Sequence, residues 1–362
     1  MRIFLIVLLC TYLNSYLFSQ NDKHKAEFLL NEAIVTMDNG DSDKAIDLLK
    51  EAKKLDPDNF IYDYETGYAY LLKEDYAASL KMYKKTIKYN YVTDQCYQML
   101  GNLYDYNKQP QKAIKTYDKG LVRFPNSGRL YLEKGNMFWN KKQFQKALPL
   151  YEAGIKAEPS YASNYYKAAT LYCNSTEEVW GMIYGEIFMN LERNSKRTEE
   201  ISKLLYDTYK SQITFPTDST ASVSFSQNNT ISLDALSNPE TFKLPYGIGA
   251  YEPTLLLSIT GHNKITISSL DSIRSKFIEL YFNSNLHEKY PNVLFEYQKK
   301  LSDKGYIKAY NHWILMKGNE SEFDIWYSKN QHEWNEFIEW FLENPLEISE
   351  TYYFHSSQYS GQ

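Results

Sequence analysis

From residue 26 to residue 161 the sequence repeats one pattern every 34 residues without insertion or deletion, and no other feature constrains the chain as tightly. Segment 60–93 carries Gly67, Tyr70, Tyr76, Leu80 and Tyr83. Segment 94–127 carries Tyr97, Leu100, Gly101, Tyr104, Ala113, Tyr117, Gly120 and Pro125. Segment 128–161 carries Tyr131, Gly135, Phe138, Phe144, Ala147, Tyr151, Gly154 and Pro159. Segment 26–59 holds the same frame with Leu29, Ala33, Ala45, Leu49, Ala52 and Pro57, and 162–195 keeps Tyr165, Ala169 and Tyr172 before Gly181, Gly185 and Phe188 take the later slots. A unit this short cannot bury its own apolar face, so copies must stack on one another. Much of the unusual tyrosine content is explained this way: 34 tyrosines, ten of them in the repeat's large-residue slots.

The period, the Leu100-Gly101-x-x-Tyr104 core, the later Ala113 and the closing Pro125 resemble the tetratricopeptide repeat. The resemblance implies an all-α fold: a TPR α-solenoid, a right-handed superhelix of helix-turn-helix repeats, spanning 24–195 in about five copies. Small residues (Gly67, Gly101 and Gly135 in first helices, Ala113 and Ala147 in second helices) then let backbones approach, and Pro57, Pro125 and Pro159 follow the second helices, which proline cannot continue.

Ahead of the repeats, Met1-Arg2 is followed by the apolar run Ile3–Leu9 and, with interruptions, by apolar residues to Phe18. A short basic start, an apolar core and Ser19 before a polar stretch describe a signal peptide over 1–19, and Asn14 and Ser15 break the run short of the roughly 20 residues a spanning helix needs. The expected location is exported: periplasmic, envelope-associated or secreted. Cys96 and Cys173, two repeats apart, are expected to lie too far from each other for a disulfide.

A stacked solenoid exposes a last apolar face. Residues 176–211 are read as a closing helix pair, with Trp180, Ile183, Tyr184, Ile187, Phe188 and Leu191 as a core stripe and 196–212 as the capping helix, starting near Thr198-Glu199-Glu200. Residues 213–252 read as a Ser/Thr-rich linker or hairpin, the hairpin pairing Ala221–Phe225 with Thr230–Leu233 around Gln227-Asn228-Asn229. Residues 253–350 form a mainly helical C-terminal region. Ile273, Phe277, Leu280 and Tyr281 share a face there, Pro291 opens a helix that ends near Gly305, and Ser321-x-x-Asp324 has the capping-box pattern before the Trp326–Trp340 block.

The formal net charge is −5, with 23 basic and 23 acidic residues across 24–193 and 10 against 14 across 253–362. Neither half has the basic stripe that a nucleic-acid backbone requires. Six histidines are scattered, and His332-Glu333 lacks a second histidine at position 336, so no metal or cofactor is implied. With no nucleophile elbow and no phosphate-binding loop, no catalytic residues are assigned. The favoured function is a non-enzymatic protein-protein interaction scaffold or adaptor in the cell envelope. The alternative is a hydrolase or carbohydrate-related activity in the C-terminal helical region.

The resemblance implies that a protein or peptide partner binds the concave groove lined by first helices. Its groove positions fall on Tyr64, Tyr68, Gln98, Asn102, Tyr106, Arg129, Asn136, Trp139, Tyr166 and Lys167. Asn102 and Asn136 share a slot suited to clamping a peptide backbone, and Arg129 and Lys167 are placed to receive a carboxylate.

Overall fold

A computed structural model of the chain describes residues 2–217, 220–227 and 243–359. The contacts divide it into two compact units, Met1–Met137 and Phe138–Gln362.

The first unit is a run of helices in antiparallel pairs: α1 (Arg2–Asp38), α2 (Ser42–Leu55), α3 (Ile61–Leu72), α4 (Tyr76–Thr86), α5 (Asp94–Tyr106), α6 (Pro110–Arg123) and α7 (Gly128–Trp139), whose last two residues fall in the second unit. Local chemistry sets the boundaries. Asp41 and Asp75 cap α2 and α4 by accepting the backbone N–H groups of Lys44 and Ala78, at 3.0 and 2.9 Å. Pro110 stands at the start of α6, where its missing N–H is harmless. The second helices end at Leu55 and Arg123, two residues before Pro57 and Pro125.

The repeat slots fill the core as expected. Ala33, Ala45, Tyr83, Leu100, Ala113 and Tyr117 are buried. A β-carbon on Gly101 would overlap the Tyr117 ring, so the slot tolerates only hydrogen. Later copies also bury the third position of each repeat: Tyr62, Cys96 and Leu130 are buried, whereas Phe28, the same slot in the first copy, is 67% exposed.

The second unit continues with α8 (Phe144–Ala157), α9 (Ala162–Tyr172), α10 (Glu178–Leu191) and α11 (Lys196–Gln212), and α8 ends two residues before Pro159. The α11 start lies at Lys196: Ser195 is the N-cap, and Thr198 is the third helical residue of a reciprocal capping box. Helix α10 differs from the expected cap. Every residue from Glu178 to Asn190 is buried, so it carries no single stripe but an all-round core surface. The stripe residue Leu191 is only half-buried. The C-terminal region covers what would otherwise be the terminal apolar face, and a polar outer cap is not needed.

After α11 the chain forms a hairpin of β1 (Ile213–Thr217) and β2 (Thr220–Val223), antiparallel, with Ile213 opposite Val223. The expected hairpin over Ala221–Phe225 and Thr230–Leu233 is corrected: Ala221–Val223 pairs backward with β1, which follows directly on α11, and Thr230–Leu233 lies outside the described residues. Phe225 turns into the core against Tyr209 and Tyr251. Its backbone N–H and that of Ser226 are received by Glu252, at 2.6 and 2.9 Å.

The C-terminal helices are α12 (Glu252–Ser258), α13 (Ile267–Asn283), α14 (Leu286–Lys289), α15 (Val293–Asp303), α16 (Ile307–Leu315), α17 (Glu320–Lys329) and α18 (Gln331–Glu343). Ile273, Phe277 and Tyr281 are buried together as expected, with Leu280 half-buried at the edge of that face. Gly305 terminates α15 with a φ of 82°, a backbone state that favours glycine. The cap of α17 is Asn319 rather than Ser321, because Asn319 receives the Glu322 N–H and Ser321 already lies in the first turn. Among the C-terminal tryptophans, Trp313 on α16 is buried, while Trp326 and Trp334 are half-buried and meet edge to face 6.1 Å apart.

Candidate functional site

The first helices of the first unit place the expected residues on one another by the repeat itself. A residue on α5 meets its counterpart on α7 about one period later. Gln98 donates from Nε2 to Glu133 at 2.6 Å and receives Arg129 Nη1 at 3.2 Å. Arg129 also faces Asp94, Nε to Oδ2 at 3.8 Å, and Asn136 donates to Glu133 at 3.3 Å. Asp94 receives the Ser127 hydroxyl at 2.5 Å. Asp94, Gln98, Arg129, Glu133 and Asn136 therefore form a continuous half-buried polar ladder.

Asn102 behaves differently from its slot-mate Asn136. Its Oδ1 receives the Tyr117 hydroxyl at 2.6 Å, while its Nδ2 donors have no partner among the described residues. Burial pushes the Tyr117 hydroxyl far above its ordinary pKa, so it stays a protonated donor. A backbone clamp through both ends of the Asn102 amide is thus half occupied from within.

The tyrosines of this unit divide in two. Tyr64 is half-buried and edge-on to Tyr83 at 5.3 Å, and burial raises its pKa to about 12. Tyr68 and Tyr106 are exposed, at 38% and 65%. Tyr106 leans on Tyr76, with ring centroids 4.6 Å apart and hydroxyls at 3.0 Å.

In the second unit, Trp139, Tyr166 and Lys167 make a separate cluster. Lys167 Nζ sits 4.3 Å from the centroid of the Trp139 ring, within cation–π range. Tyr166 donates to Glu200 at 2.6 Å, packs on Phe188 and carries Arg197 over its face at 5.1 Å. Arg129 and Lys167 are therefore not bare cations awaiting a carboxylate: one faces Asp94 and the other lies over aromatic rings.

Sequence reasoning missed two groups. Glu65, Met99 and Glu133 share one repeat slot on the same helix faces, and spacing from Gln98 and Asn102 was the available signal. The second group is buried in the second unit. Arg274 lies against Glu186, Nη1 and Nη2 at 2.9 and 2.6 Å from the two carboxylate oxygens. Its Nε donates to Asn311 at 2.8 Å, Tyr209 stands at 3.1 Å, and Gln298 donates to Glu186. Both charges are almost completely buried, 6% and 4% exposed, and the adjoining cavity measures about 20 Å³, room for one water. The carboxylate holds the guanidinium charged against the opposing effect of burial. With its donors met inside the fold, the pair serves as a structural lock.

The two buried histidines, His312 and His355, are equally committed to structure. His312 is buried and stacked on Trp326 at 3.9 Å, with its pKa lowered by burial to about 4. His355 lies between the Ser357 hydroxyl and the Glu152 carbonyl oxygen, at 2.8 and 3.0 Å. Cys96 and Cys173 are both free thiols, and burial pushes Cys173 up to about 12. No group of three His, Cys, Asp or Glu side chains is placed to hold a metal among the described residues.

With the helix pairs and their slots in view, a family model for the tetratricopeptide repeat matches residues 30–90 and 99–162. Residues 30–90 and 99–162 are tetratricopeptide repeats. Comparison with curated proteins returns no match. Among solved structures, a crystal structure of MamA is 20% identical, with a TM-score of 0.35, covering 42% of this chain and 89% of that one. PilF of Pseudomonas aeruginosa is 13% identical, with a TM-score of 0.44, covering 53% and 86%. YrrB, described as a TPR protein with an unusual peptide-binding site, is 18% identical, with a TM-score of 0.34, covering 47% and 87%. These repeats support a protein-interaction scaffold role for this part of the chain, and no helix among the described residues is long and apolar enough to cross a membrane.

Proposed function

We propose that this tetratricopeptide-repeat protein works in the cell envelope as a non-enzymatic adaptor that holds an extended segment of a partner protein on the first-helix face of α3, α5 and α7. The observation that carries this reading is the combination on that face of exposed aromatic surface with a preformed polar ladder. Tyr68 and Tyr106 supply rigid amphipathic area, and the ordered amides of Gln98, Asn102 and Asn136 supply hydrogen-bonding capacity at low entropic cost. Arg2 followed by Ile3–Leu9 supports export, with cleavage after Ser19.

The test is affinity capture from the envelope fraction with the wild type and with Tyr68→Ala plus Tyr106→Ala. Both tyrosines are exposed, so the fold is expected to survive, and circular dichroism checks it. The partner held by the wild type is lost by the variant. Equal recovery of every captured protein contradicts the reading. N-terminal sequencing of the captured chain is expected to begin at Gln20.

A further inference from the structure

Glu65, half-buried on α3, has no hydrogen-bond or ion-pair partner among the described residues. Its neighbours show how unusual that is. Asp63, two residues away, is 2% exposed and takes Lys53, Lys85 and the Tyr89 hydroxyl, whose combined effect outweighs burial and lowers its pKa. Asp94 faces Arg129 and Ser127, and Glu133 faces Gln98 and Asn136. Glu65 is half-buried with burial as the sole perturbing influence, which raises its pKa. A carboxylate withdrawn from water without a compensating partner destabilises the fold that contains it. A cation carried by a bound partner offsets that cost.

The surroundings specify what that is. On α3 the residues 65, 68 and 72 follow at spacings of three and four, so Glu65, Tyr68 and Leu72 lie along one face, about 5–6 Å apart. Tyr68 and Leu72 are 38% and 46% exposed. A charged acceptor at one end of an aromatic and aliphatic strip is complementary to a side chain with an apolar stem and a cationic head. Tyr68 can add attraction between its ring face and the cation.

We propose that Glu65, Tyr68 and Leu72 seat a lysine or arginine side chain of the bound segment, its head on the Glu65 carboxylate and its stem along Tyr68 and Leu72. The assignment rests on the first-helix face being the binding surface and adds the chemical identity of one anchor residue. It makes the ligand basic at that point, where the sequence-level expectation for Arg129 and Lys167 was an acidic one. In the free protein Glu65 is unpaired, and in the complex it is paired.

The experiment is selection of random 12-mer peptides displayed on phage against the purified protein, in parallel with Glu65→Gln and Glu65→Lys. Wild type enriches peptides with Lys or Arg at one fixed position, Glu65→Gln loses that preference, and Glu65→Lys replaces it with Asp or Glu. A selected basic peptide binds Glu65→Gln about tenfold or more weakly, the equivalent of one lost charged contact. Thermal unfolding without peptide gives an independent readout, because Glu65→Gln removes an unpaired carboxylate and raises the midpoint. A lowered midpoint shows that Glu65 already has an internal partner and overturns the inference. Selected peptides with no basic position, whose binding is still weakened by Tyr106→Ala, overturn the inference and leave the first-helix face intact. Enrichment of no peptide at all overturns both.

Discussion

Replacing Arg274 by methionine tests whether the buried pair locks the second unit. Methionine fills most of the arginine stem but supplies none of its donors, so Glu186 is left with the Gln298 amide in place of a two-point guanidinium contact. Asn311 loses the Nε donor yet keeps Asp271, which its own amide reaches at 3.0 Å. Removing one partner of a buried pair typically costs about 3–5 kcal/mol, most of it the uncompensated charge left behind. If that charge is the source, Arg274→Met combined with Glu186→Met loses less than the single change, and a double-mutant cycle shows a coupling of at least about 2 kcal/mol. Urea unfolding followed by tryptophan fluorescence is suited to the question, since Trp139, Trp180, Trp313, Trp326, Trp334 and Trp340 all belong to the second unit. A single variant within about 1 kcal/mol of wild type, or an additive cycle, refutes the lock.

Two titrating groups of the same unit give predictions of opposite sign. His312 has its pKa depressed to about 4 by burial, so its contribution is fully present above about pH 6.5 and is lost as pH falls through 4; His312→Phe is expected to flatten that loss, measured as unfolding midpoint against pH. Asp271 has its pKa raised to about 6, burial outweighing the Asn311 hydrogen bond and the Lys308 and Arg274 charges, so the folded state holds its proton more tightly and wild type gains stability as pH falls from about 6 toward 4. Asp271→Asn is therefore expected to be more stable than wild type by about 1–3 kcal/mol at pH 7.5 and to lose that advantage at pH 4.

The parts of this fold that were legible in the sequence are those that recur. Gly101 against Tyr117 and the placement of Gln98, Asn102 and Asn136 on first helices follow from slots seen several times in phase, and each copy checks the others. Contacts between adjacent copies were not read, although their separation follows the period: Gln98 to Glu133 spans 35 residues and Tyr166 to Glu200 spans 34. Arg274 and Glu186 lie 88 residues apart in segments with no common period, and nothing in either local pattern marks one as the partner of the other. Helix α10 misled for a related reason. A helix covered on every side has no polar face to contrast with, so the Trp180–Leu191 stripe was only the recognisable part of an all-round core. The hairpin was misplaced because short Ser/Thr-rich segments offer several equivalent alternations, and the choice among them fell to Ile213 continuing directly from α11. Arg129 and Lys167 read as carboxylate receivers because residue type alone does not reveal Asp94 beside one and Trp139 beneath the other.

The account's central claim is that a partner segment lies on the first-helix face, and site-specific photo-cross-linking in living cells tests it most directly. A benzophenone amino acid replaces Tyr106, exposed at the end of α5, in one strain and Val122, 87% exposed near the end of α6, in another. Irradiation is expected to join a defined partner protein to the chain labelled at position 106 and none to the chain labelled at position 122. Cross-links that form at position 122 and not at position 106 place the partner on the second helices and contradict the claim.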